Sequence, residues 1–414
     1  MSFISLLLYV IAIYLRPQEW IPAVYEWPLI YILTITSVIF AFFESMGQRK
    51  LHLKEPPNLL MLGFLACMIM SHVAHTYLQG AIDSFSFFAP NVFLFFLFVN
   101  ILVTEKRIKI MIWFIIIITF ILAIEGIQQH YSGIGWAGQT PFLDLGSGLT
   151  RIRWIGIFND PNDLALIFVV SAGFLISFIF GSTNLFVKIL SCGMLFILGQ
   201  ALFYTNSRGG FLAMAATISF FVLKKMKNKV LALIVGVSIA LIVIMFGPSR
   251  MSQVSSSEAS AYGRIEAWYQ GFQMLKSAPI FGVGDRMFIE NHFRAAHNSY
   301  ISVAAELGLV GIFIWISLIY SCLKGLILSS RKLSASKPYM IGLESGLVGF
   351  LSASFFLSRS HVAVLYLLLA LAASFMYTIL NKEEYEFTKK DTKITALLTI
   401  GILVIVWISM KFAI

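Results

Sequence analysis

Long apolar stretches separated by short polar ones occur along the whole chain. Thirteen can be marked, and most approach the roughly 20 residues that an α-helix needs to cross a bilayer. Several are shorter than 18 residues, so one or two could be re-entrant or interfacial. The pattern predicts an all-α polytopic membrane protein with about 12–13 transmembrane helices, in a single domain over residues 1–414. The stretches are roughly 2–15, 28–43, 58–78, 85–103, 109–128, 162–181, 185–205, 210–223, 229–247, 298–323, 339–357, 362–380 and 394–413.

Composition supports this class. Hydrophobic residues make up 59% of the chain and charged residues 12%, with a mean hydropathy of +0.86, which excludes a soluble globular protein. The net charge of +10 comes from basic residues beside apolar stretches, so it does not indicate nucleic-acid binding. Cys67, Cys192 and Cys322 lie within apolar stretches, where we expect small core residues and neither disulfides nor metal ligands.

Lys and Arg separate between the two sides of the predicted helix bundle. Nineteen of the thirty basic residues lie on one side and sixteen of these are Lys, so the positive-inside rule makes that side cytoplasmic. Nine of the eleven on the opposite side are Arg, which suits bidentate recognition of phosphate. The alternative is that these Arg residues cap helix ends or pair with nearby acids. The outer set is Arg16, Arg151, Arg153, Arg208, Arg250, Arg264, Lys276, Arg286, Arg294, Arg359 and Lys411.

Two outer connections are long, at 129–161 and 248–297. In the second, the Ser-rich stretch 252–260 predicts a flexible linker. Aromatic and aliphatic residues then recur at helical spacing, which predicts an amphipathic helix at the membrane interface. These residues are Ile265, Trp268, Tyr269, Phe272 and Leu275.

Three polar groups stand where a reaction at the outer membrane surface would need them. Arg208 lies between two apolar stretches, Arg264 begins the amphipathic helix, and His297 with Asn298 begins the next apolar stretch. Each has a structural alternative, since a lone His at a helix start is commonly a satisfied structural residue and Arg208 could cap a helix. Their shared side of the membrane favours a common site.

An acidic cluster immediately precedes the apolar stretch at 162–181. Asp160, Asn162 and Asp163 could hold a divalent cation through their oxygens. The sequence Asp160-Pro161 before an apolar run is also typical of a helix N-cap followed by proline at the first helical position. We favour the N-cap.

Glu125, Glu306 and Glu344 are costly to bury and must face the protein interior or a cavity. They could form the proton path of a lipid-linked glycan transporter, or they could be hydrogen-bonded links between helices. The sequence shows no internal repeat, and this disfavours the transporter, because many transporters are built from inverted repeats. The outer stretch 359–361 (Arg-Ser-His) is either a further site element or a helix terminus.

Six motifs in the order found here resemble the O-antigen ligase superfamily, and they cover about residues 150–315. The superfamily includes O-antigen ligases, polysaccharide polymerases and protein O-oligosaccharyltransferases, and the motifs do not separate them. The motifs are 153–165 (RWIGIFNDPNDLA), 207–210 (SRGG), 263–268 (GRIEAW), 279–284 (PIFGVG), 297–301 (HNSYI) and 306–311 (ELGLVG).

The resemblance implies a GT-C-type glycosyltransferase in the bacterial inner membrane, with its active site facing the periplasm. Its donor would be a glycan on undecaprenyl diphosphate, transferred en bloc and with inversion to an acceptor hydroxyl, without a metal or cofactor. The implied activity is most similar to ligation of O-antigen to lipid A–core in lipopolysaccharide biosynthesis. Partners would be the donor, lipid A–core or another glycan acceptor, and membrane lipids, but no nucleic acid.

Roles follow for the residues that match. Fixed guanidinium groups at Arg208 and Arg264 would stabilise the departing diphosphate in place of a metal ion. Neutral His297 would accept the proton of the acceptor hydroxyl as general base. The expected substrate-binding residues are Arg151, Arg153, Arg286, Arg294 and Asn298.

Overall fold

The computed structural model describes residues 1–48, 51–144, 148–246 and 254–411, with the backbone alone at 45–48, 240, 243–246 and 254–262. Within these residues, each of the thirteen predicted apolar stretches overlaps one helix. The helices are α1 Ser2–Tyr14, α2 Leu29–Gln48, α3 Pro56–Val73, α4 Leu78–Ile101, α5 Glu105–Ser132, α6 Pro161–Gly181, α7 Leu185–Tyr204, α8 Arg208–Lys225, α9 Lys229–Phe246, α10 Val254–Ser277, α11 Phe288–Asn291, α12 Ser299–Lys332, α13 Lys337–Ala353, α14 Ala363–Ile379, α15 Lys382–Tyr385 and α16 Lys389–Lys411.

Seven helical segments of the described chain are long and apolar enough to cross a membrane, and four apolar helices are shorter. The all-α polytopic membrane fold is therefore confirmed. The seven are α3, α4, α5, α6, α7, α12 and the segment from α15 through α16, and the shorter four lie in α1, α2, α9 and α14.

Three details differ from the expectation. A short antiparallel hairpin, β1 (Phe142–Asp144) and β2 (Leu149–Arg151), lies in the first long connection. In the second, α10 begins at Val254, so the predicted linker is helical at 254–260, and residues 252 and 253 lie outside the described residues. Cys67 and Cys322 are buried as expected, but Cys192 is exposed and is not a core residue.

The described chain divides into two compact units. Unit 1 comprises Met1–Leu51, Leu97–Val254 and Ile327–Ala353. Its centre is α6, which packs against α7, α8 and α13 and is almost entirely buried. Gly173 on α6 and Gly346 on α13 let the two helix backbones approach closely, since a Cβ on Gly173 would lie 3.0 Å from the Gly346 nitrogen.

Unit 2 comprises His52–Phe96, Ser255–Leu326 and Ser354–Ile414. Its helix α14 is buried along nearly its whole length. A separate apolar cluster holds α10 against the elements that follow it: Trp268 and Phe272 of α10 pack on buried residues that include Phe288 and Ile301. The predicted aromatic face of α10 therefore packs on protein at these two positions, while Tyr269 is exposed.

Candidate active site

The predicted site residues divide between the two units. Unit 1 holds Arg151, Arg153 and Arg208, and unit 2 holds Arg264, Arg286, Arg294, His297 and Asn298.

Arg151 is buried at the end of β2, where protein oxygens surround its guanidinium. Its Nε donates to the Thr205 carbonyl at 2.9 Å and its Nη2 to Asn162 Oδ1 at 2.9 Å. The same Asn162 oxygen accepts a hydrogen bond from Ser207 Oγ at 2.7 Å. Arg151 thus connects the hairpin to the end of α7 and to the starts of α6 and α8.

The acidic cluster is the helix cap that we favoured. Asp160 is the N-cap of α6, and its Oδ1 accepts hydrogen bonds from the Asn162 backbone nitrogen at 2.8 Å and side-chain nitrogen at 2.9 Å. Pro161 occupies the first helical position, where a missing N–H has no cost. Nearby, Arg153 donates to the Thr140 carbonyl at 2.9 Å and to Asn159 Oδ1 at 3.2 Å.

Arg208 is the first residue of α8. Ser207 caps that helix by accepting a hydrogen bond from the Gly210 nitrogen at 3.1 Å, and Asn206 adopts a left-handed φ of 47° just before it. Gly210 packs directly against Ala165 of α6, which fixes the start of the helix. Arg208 is half-buried there. A helix N-terminus carries partial positive charge, so a guanidinium at this point adds to a field that favours anions.

Gly263, next to Arg264 on α10, lets Arg294 approach that helix closely. A Cβ at Gly263 would overlap Arg294 Nη1, so the Arg294 guanidinium lies directly against the backbone beside Arg264. One turn further along α10, Trp268 Nε1 donates to the Ala296 carbonyl at 2.8 Å. Gly263 and Trp268 of the 263–268 motif therefore contact the segment that leads into His297.

His297 is exposed between two buried neighbours and has a left-handed φ of 47°. Such a conformation is uncommon for residues other than glycine and clusters at functional sites. Asn298 is fully buried and caps α12, since its Oδ1 accepts hydrogen bonds from the nitrogens of Tyr300 at 3.0 Å and Ile301 at 3.2 Å. Its Nδ2 is buried with no hydrogen-bond partner among the described residues.

Two sequence motifs form one backbone structure. α12 is interrupted at Gly308, with φ 69° and ψ −169°, and the 279–284 segment pairs with the interruption. The nitrogen of Gly284 donates to the Glu306 carbonyl at 3.0 Å, and that of Leu309 to the Pro279 carbonyl at 2.8 Å. A Cβ at Gly282 or at Gly308 would overlap the opposite backbone, so both positions require glycine.

Beside this structure lies a buried cluster of Asp285, Glu306 and His361, which sequence analysis did not find as a unit. His361 Nε2 donates to Asp285 Oδ1 at 2.9 Å, and Glu306 Oε1 accepts from the Phe288 nitrogen at 3.3 Å. Burial would raise the pKa of Asp285, but the hydrogen bond and charge of His361 outweigh it and hold that pKa below its usual value. Burial would lower the pKa of His361, and Asp285 raises it above its usual value.

Within the described residues, this cluster is the group of His, Cys, Asp and Glu side chains that could hold a metal ion, with ligand atoms within 4.8 Å of one another. Asp285 already has positively charged or proton-donating partners, however. His361 donates to one Asp285 oxygen, and Arg286 Nε lies 3.5 Å from the other. A divalent ion would have to replace the proton between His361 and Asp285 and lie next to the Arg286 cation, so charge balance favours a hydrogen-bonded network over a metal centre.

The other intramembrane acids also have partners. Glu125 of α5 accepts a hydrogen bond from Gln139 Nε2, in the connection before β1, at 2.7 Å, and Glu344 of α13 pairs with Lys224 Nζ of α8 at 2.6 Å. The Glu344 contact links two helices, whereas the Glu125 contact joins a helix to a connection. In the 359–361 stretch, the Arg359 nitrogen donates to Ser299 Oγ at the start of α12 at 2.8 Å, and His361 belongs to the buried cluster.

Residues 193–316 match a family model described as O-Antigen ligase. We refer to these residues as the O-antigen ligase segment, after the family to which they are similar. The match supports membership of the O-antigen ligase superfamily, although it covers less than a third of the chain. No curated protein matches the sequence.

The O-antigen ligase segment begins within α7 and ends within α12. It contains Arg208, Arg264 and His297, together with Asp285 and Glu306 of the buried cluster. The remaining cluster member, His361, lies outside it, as do Arg151 and Arg153.

Proposed function

We propose that the protein is an inverting glycosyltransferase that moves a glycan en bloc from undecaprenyl diphosphate to an acceptor hydroxyl, without a metal ion. The observation that carries the proposal is the O-antigen ligase match, because the matched segment includes all three candidate catalytic residues. The multi-pass membrane fold suits a donor anchored in the bilayer by its prenyl chain.

In the proposed reaction, the acceptor oxygen attacks the anomeric carbon while the bond from that carbon to the diphosphate oxygen breaks. The acceptor proton passes to the neutral imidazole of His297, and undecaprenyl diphosphate leaves with the electron pair. His297 is suited to this task because it is exposed and directly precedes a firmly capped helix. A positioned general base contributes about 10²–10⁴-fold.

Arg208 and Arg264 would stabilise the diphosphate as its negative charge grows. Arg208 stands at a helix N-terminus, and Arg264 follows Gly263, whose backbone the Arg294 guanidinium contacts. Guanidinium groups in a water-poor site make strong charge-assisted hydrogen bonds to phosphate oxygens. We propose a bacterial inner-membrane location, and the distribution of Lys and Arg supports placing this site on the side opposite the cytoplasm.

The acceptor that we propose is lipid A–core, which makes the reaction O-antigen ligation. A polymerase of the same superfamily would use a second lipid-linked repeat as acceptor. A transporter is disfavoured because Glu125, Glu306 and Glu344 each have a hydrogen-bond or ion-pair partner in the protein.

The test is transfer by the purified protein in nanodiscs, with EDTA present, from undecaprenyl-diphosphate-linked glycan to lipid A–core or to a second lipid-linked repeat. We expect EDTA to leave the rate unchanged and His297→Gln to lower it by about 10²–10⁴-fold. His52→Gln is the matched control, because His52 pairs with Glu55 just before α3 and belongs neither to the predicted site residues nor to the buried cluster.

Loss of transfer on EDTA treatment, or an unchanged rate in folded His297→Gln protein, would contradict the proposal. Product on the second lipid-linked repeat alone would make the enzyme a polymerase. Movement of the donor across vesicles without cleavage of the diphosphate linkage would make it a transporter.

A further inference from the structure

Arg286 has an unusual setting for a loop cation. Its backbone adopts a left-handed φ of 60°, and its guanidinium lies over the Phe87 ring at 4.4 Å. The side chain remains 42% exposed, while its Nε lies 3.5 Å from a carboxylate oxygen of the preceding residue, Asp285. A flexible surface cation would have none of these restraints.

Asp285 is itself held from several directions. Its side chain is completely buried, and Oδ1 accepts the hydrogen bond from His361. Its backbone nitrogen donates to Ser71 Oγ at 2.9 Å, and its carbonyl accepts from His72 Nε2 at 3.1 Å. Side chains at the end of α3 therefore hold the backbone of Asp285, and His361, in the segment before α14, holds its carboxylate.

The two carboxylate oxygens of Asp285 have different partners. Oδ1 faces His361 and Oδ2 faces Arg286, so protonated His361 leaves the carboxylate balanced by two cations. Because the ion pair engages Nε of Arg286, the two terminal nitrogens are the pair that can bind a further anion bidentately. The stacking on Phe87 further limits the orientations of the guanidinium plane.

We propose that Asp285 and His361 are positioning residues that hold Arg286 as an additional binding group for the phosphorylated head of a prenyl lipid. The identity of that lipid as the glycan donor rests on the proposed function. The pairing of Asp285, Arg286 and His361 rests on the structure alone. Asp285 and His361 do not touch the substrate in this proposal and act only through Arg286.

A double-mutant cycle on binding tests this arrangement. Purified full-length protein in phosphatidylcholine nanodiscs is titrated with undecaprenyl diphosphate, with undecaprenol as the ligand that lacks phosphate. We expect Arg286→Gln to weaken diphosphate binding by about tenfold, the effect of one lost charge-assisted hydrogen bond. Asp285→Asn should weaken it to a similar extent, and the double variant no further. Undecaprenol binding should be the same in all four proteins.

Asp391→Asn is the matched control. Asp391 also pairs with a cation in unit 2, Lys324 at 2.8 Å, and its removal should leave diphosphate binding unchanged. His361→Gln provides a second variant for the case that Asp285→Asn does not fold, and it should show the same lack of additivity with Arg286→Gln.

Additive effects of Asp285→Asn and Arg286→Gln would overturn the proposal, as would unchanged binding in either single variant. The two proposals can fail separately. If the cycle shows coupling but no glycan transfer occurs, the positioning role stands and the proposed function falls. If glycan transfer occurs but the cycle shows no coupling, the proposed function stands and the positioning role falls.

Discussion

The two long connections of the chain use arginine in opposite ways. In the connection between α5 and α6, Arg151 is buried and donates to backbone and side-chain oxygens of neighbouring elements. In the connection between α9 and α12, Arg286 and Arg294 are exposed. The residue type is the same, but in the first connection protein acceptors already engage the guanidinium.

The difference extends to how each connection is held in place. Side-chain hydrogen bonds from Arg151 organise the first. Backbone hydrogen bonds organise the second connection, where Gly282 and Gly308 allow two backbone segments of the chain to approach without intervening side chains. A backbone scaffold can leave cationic side chains available for a ligand, so we propose a structural role for the first connection and a chemical role for the second.

The largest expected effect comes from breaking the backbone scaffold. Gly308→Ala forces a residue with a Cβ into a conformation that is essentially restricted to glycine and against the Ile280 carbonyl. The conformational strain alone costs about 1–3 kcal/mol, and the overlap adds to it. We expect a loss of more than about 3 kcal/mol in unfolding free energy, seen as a lower midpoint in thermal unfolding of the purified protein.

Gly401→Ala is the control, because Gly401 lies in α16 with open space around its Cβ position and alanine favours helix. Its unfolding midpoint should match that of the wild type or exceed it. If the Gly308→Ala protein were as stable as the Gly401→Ala protein, backbone pairing at Gly308 would not be what holds the second connection in place.

The next effect separates the two kinds of arginine directly. Arg151→Gln removes buried charge-assisted hydrogen bonds to Thr205 and Asn162 and should cost about 3 kcal/mol of unfolding free energy. Arg264→Gln should cost less stability than Arg151→Gln, because Arg264 is only half-buried. It should lower the transfer rate per folded molecule by about 10²-fold, as expected for a lost group that stabilises the transition state.

Thermal unfolding and the transfer assay are both run on each variant, with the rate normalised to folded protein. If Arg151→Gln instead abolishes transfer at full stability, the first connection takes part in the chemistry. If Arg264→Gln mainly unfolds the protein, the second connection loses its assigned role.

The sequence correctly predicted features that depend on neighbouring residues along the chain. The cap at Asp160-Pro161 was identified because an N-cap and its proline are adjacent residues with a fixed geometric meaning. The helix at 254–260 was missed because Ser-rich composition favours loops only statistically and does not exclude a helix. The β1–β2 hairpin was missed because each strand has only three residues, too few for a period to be seen.

The buried cluster shows where sequence analysis stops. Glu306 and His361 were each noted, but as separate features with structural alternatives. Asp285 and His361 are 76 positions apart, and a single sequence contains no signal that relates them. The contact of Gly282 with Gly308 depends on an interruption of α12 that apolar periodicity does not reveal.

The smallest expected effect is a pH dependence that only the second connection should show. The pKa of His361 is raised in the folded protein, so its stabilisation is complete below the unfolded value of about 6.5 and is lost as pH rises through the folded pKa. The pKa of Asp285 is lowered, so its stabilisation is present above about 3.9 and is lost as pH falls through the folded pKa.

The midpoint difference between wild type and His361→Gln should therefore be largest between about pH 4 and 6.5 and should shrink as pH rises beyond that window. Thermal unfolding from pH 5 to 9 measures it. Thr205 and Asn162, which accept hydrogen bonds from Arg151, do not titrate, so the corresponding difference for Arg151→Gln should change less over the same range. If the difference in unfolding midpoint from wild type varied with pH in the same way for both variants, the Asp285–His361 pair would not titrate as its geometry requires. The expected electrostatic difference between the two connections would then be contradicted.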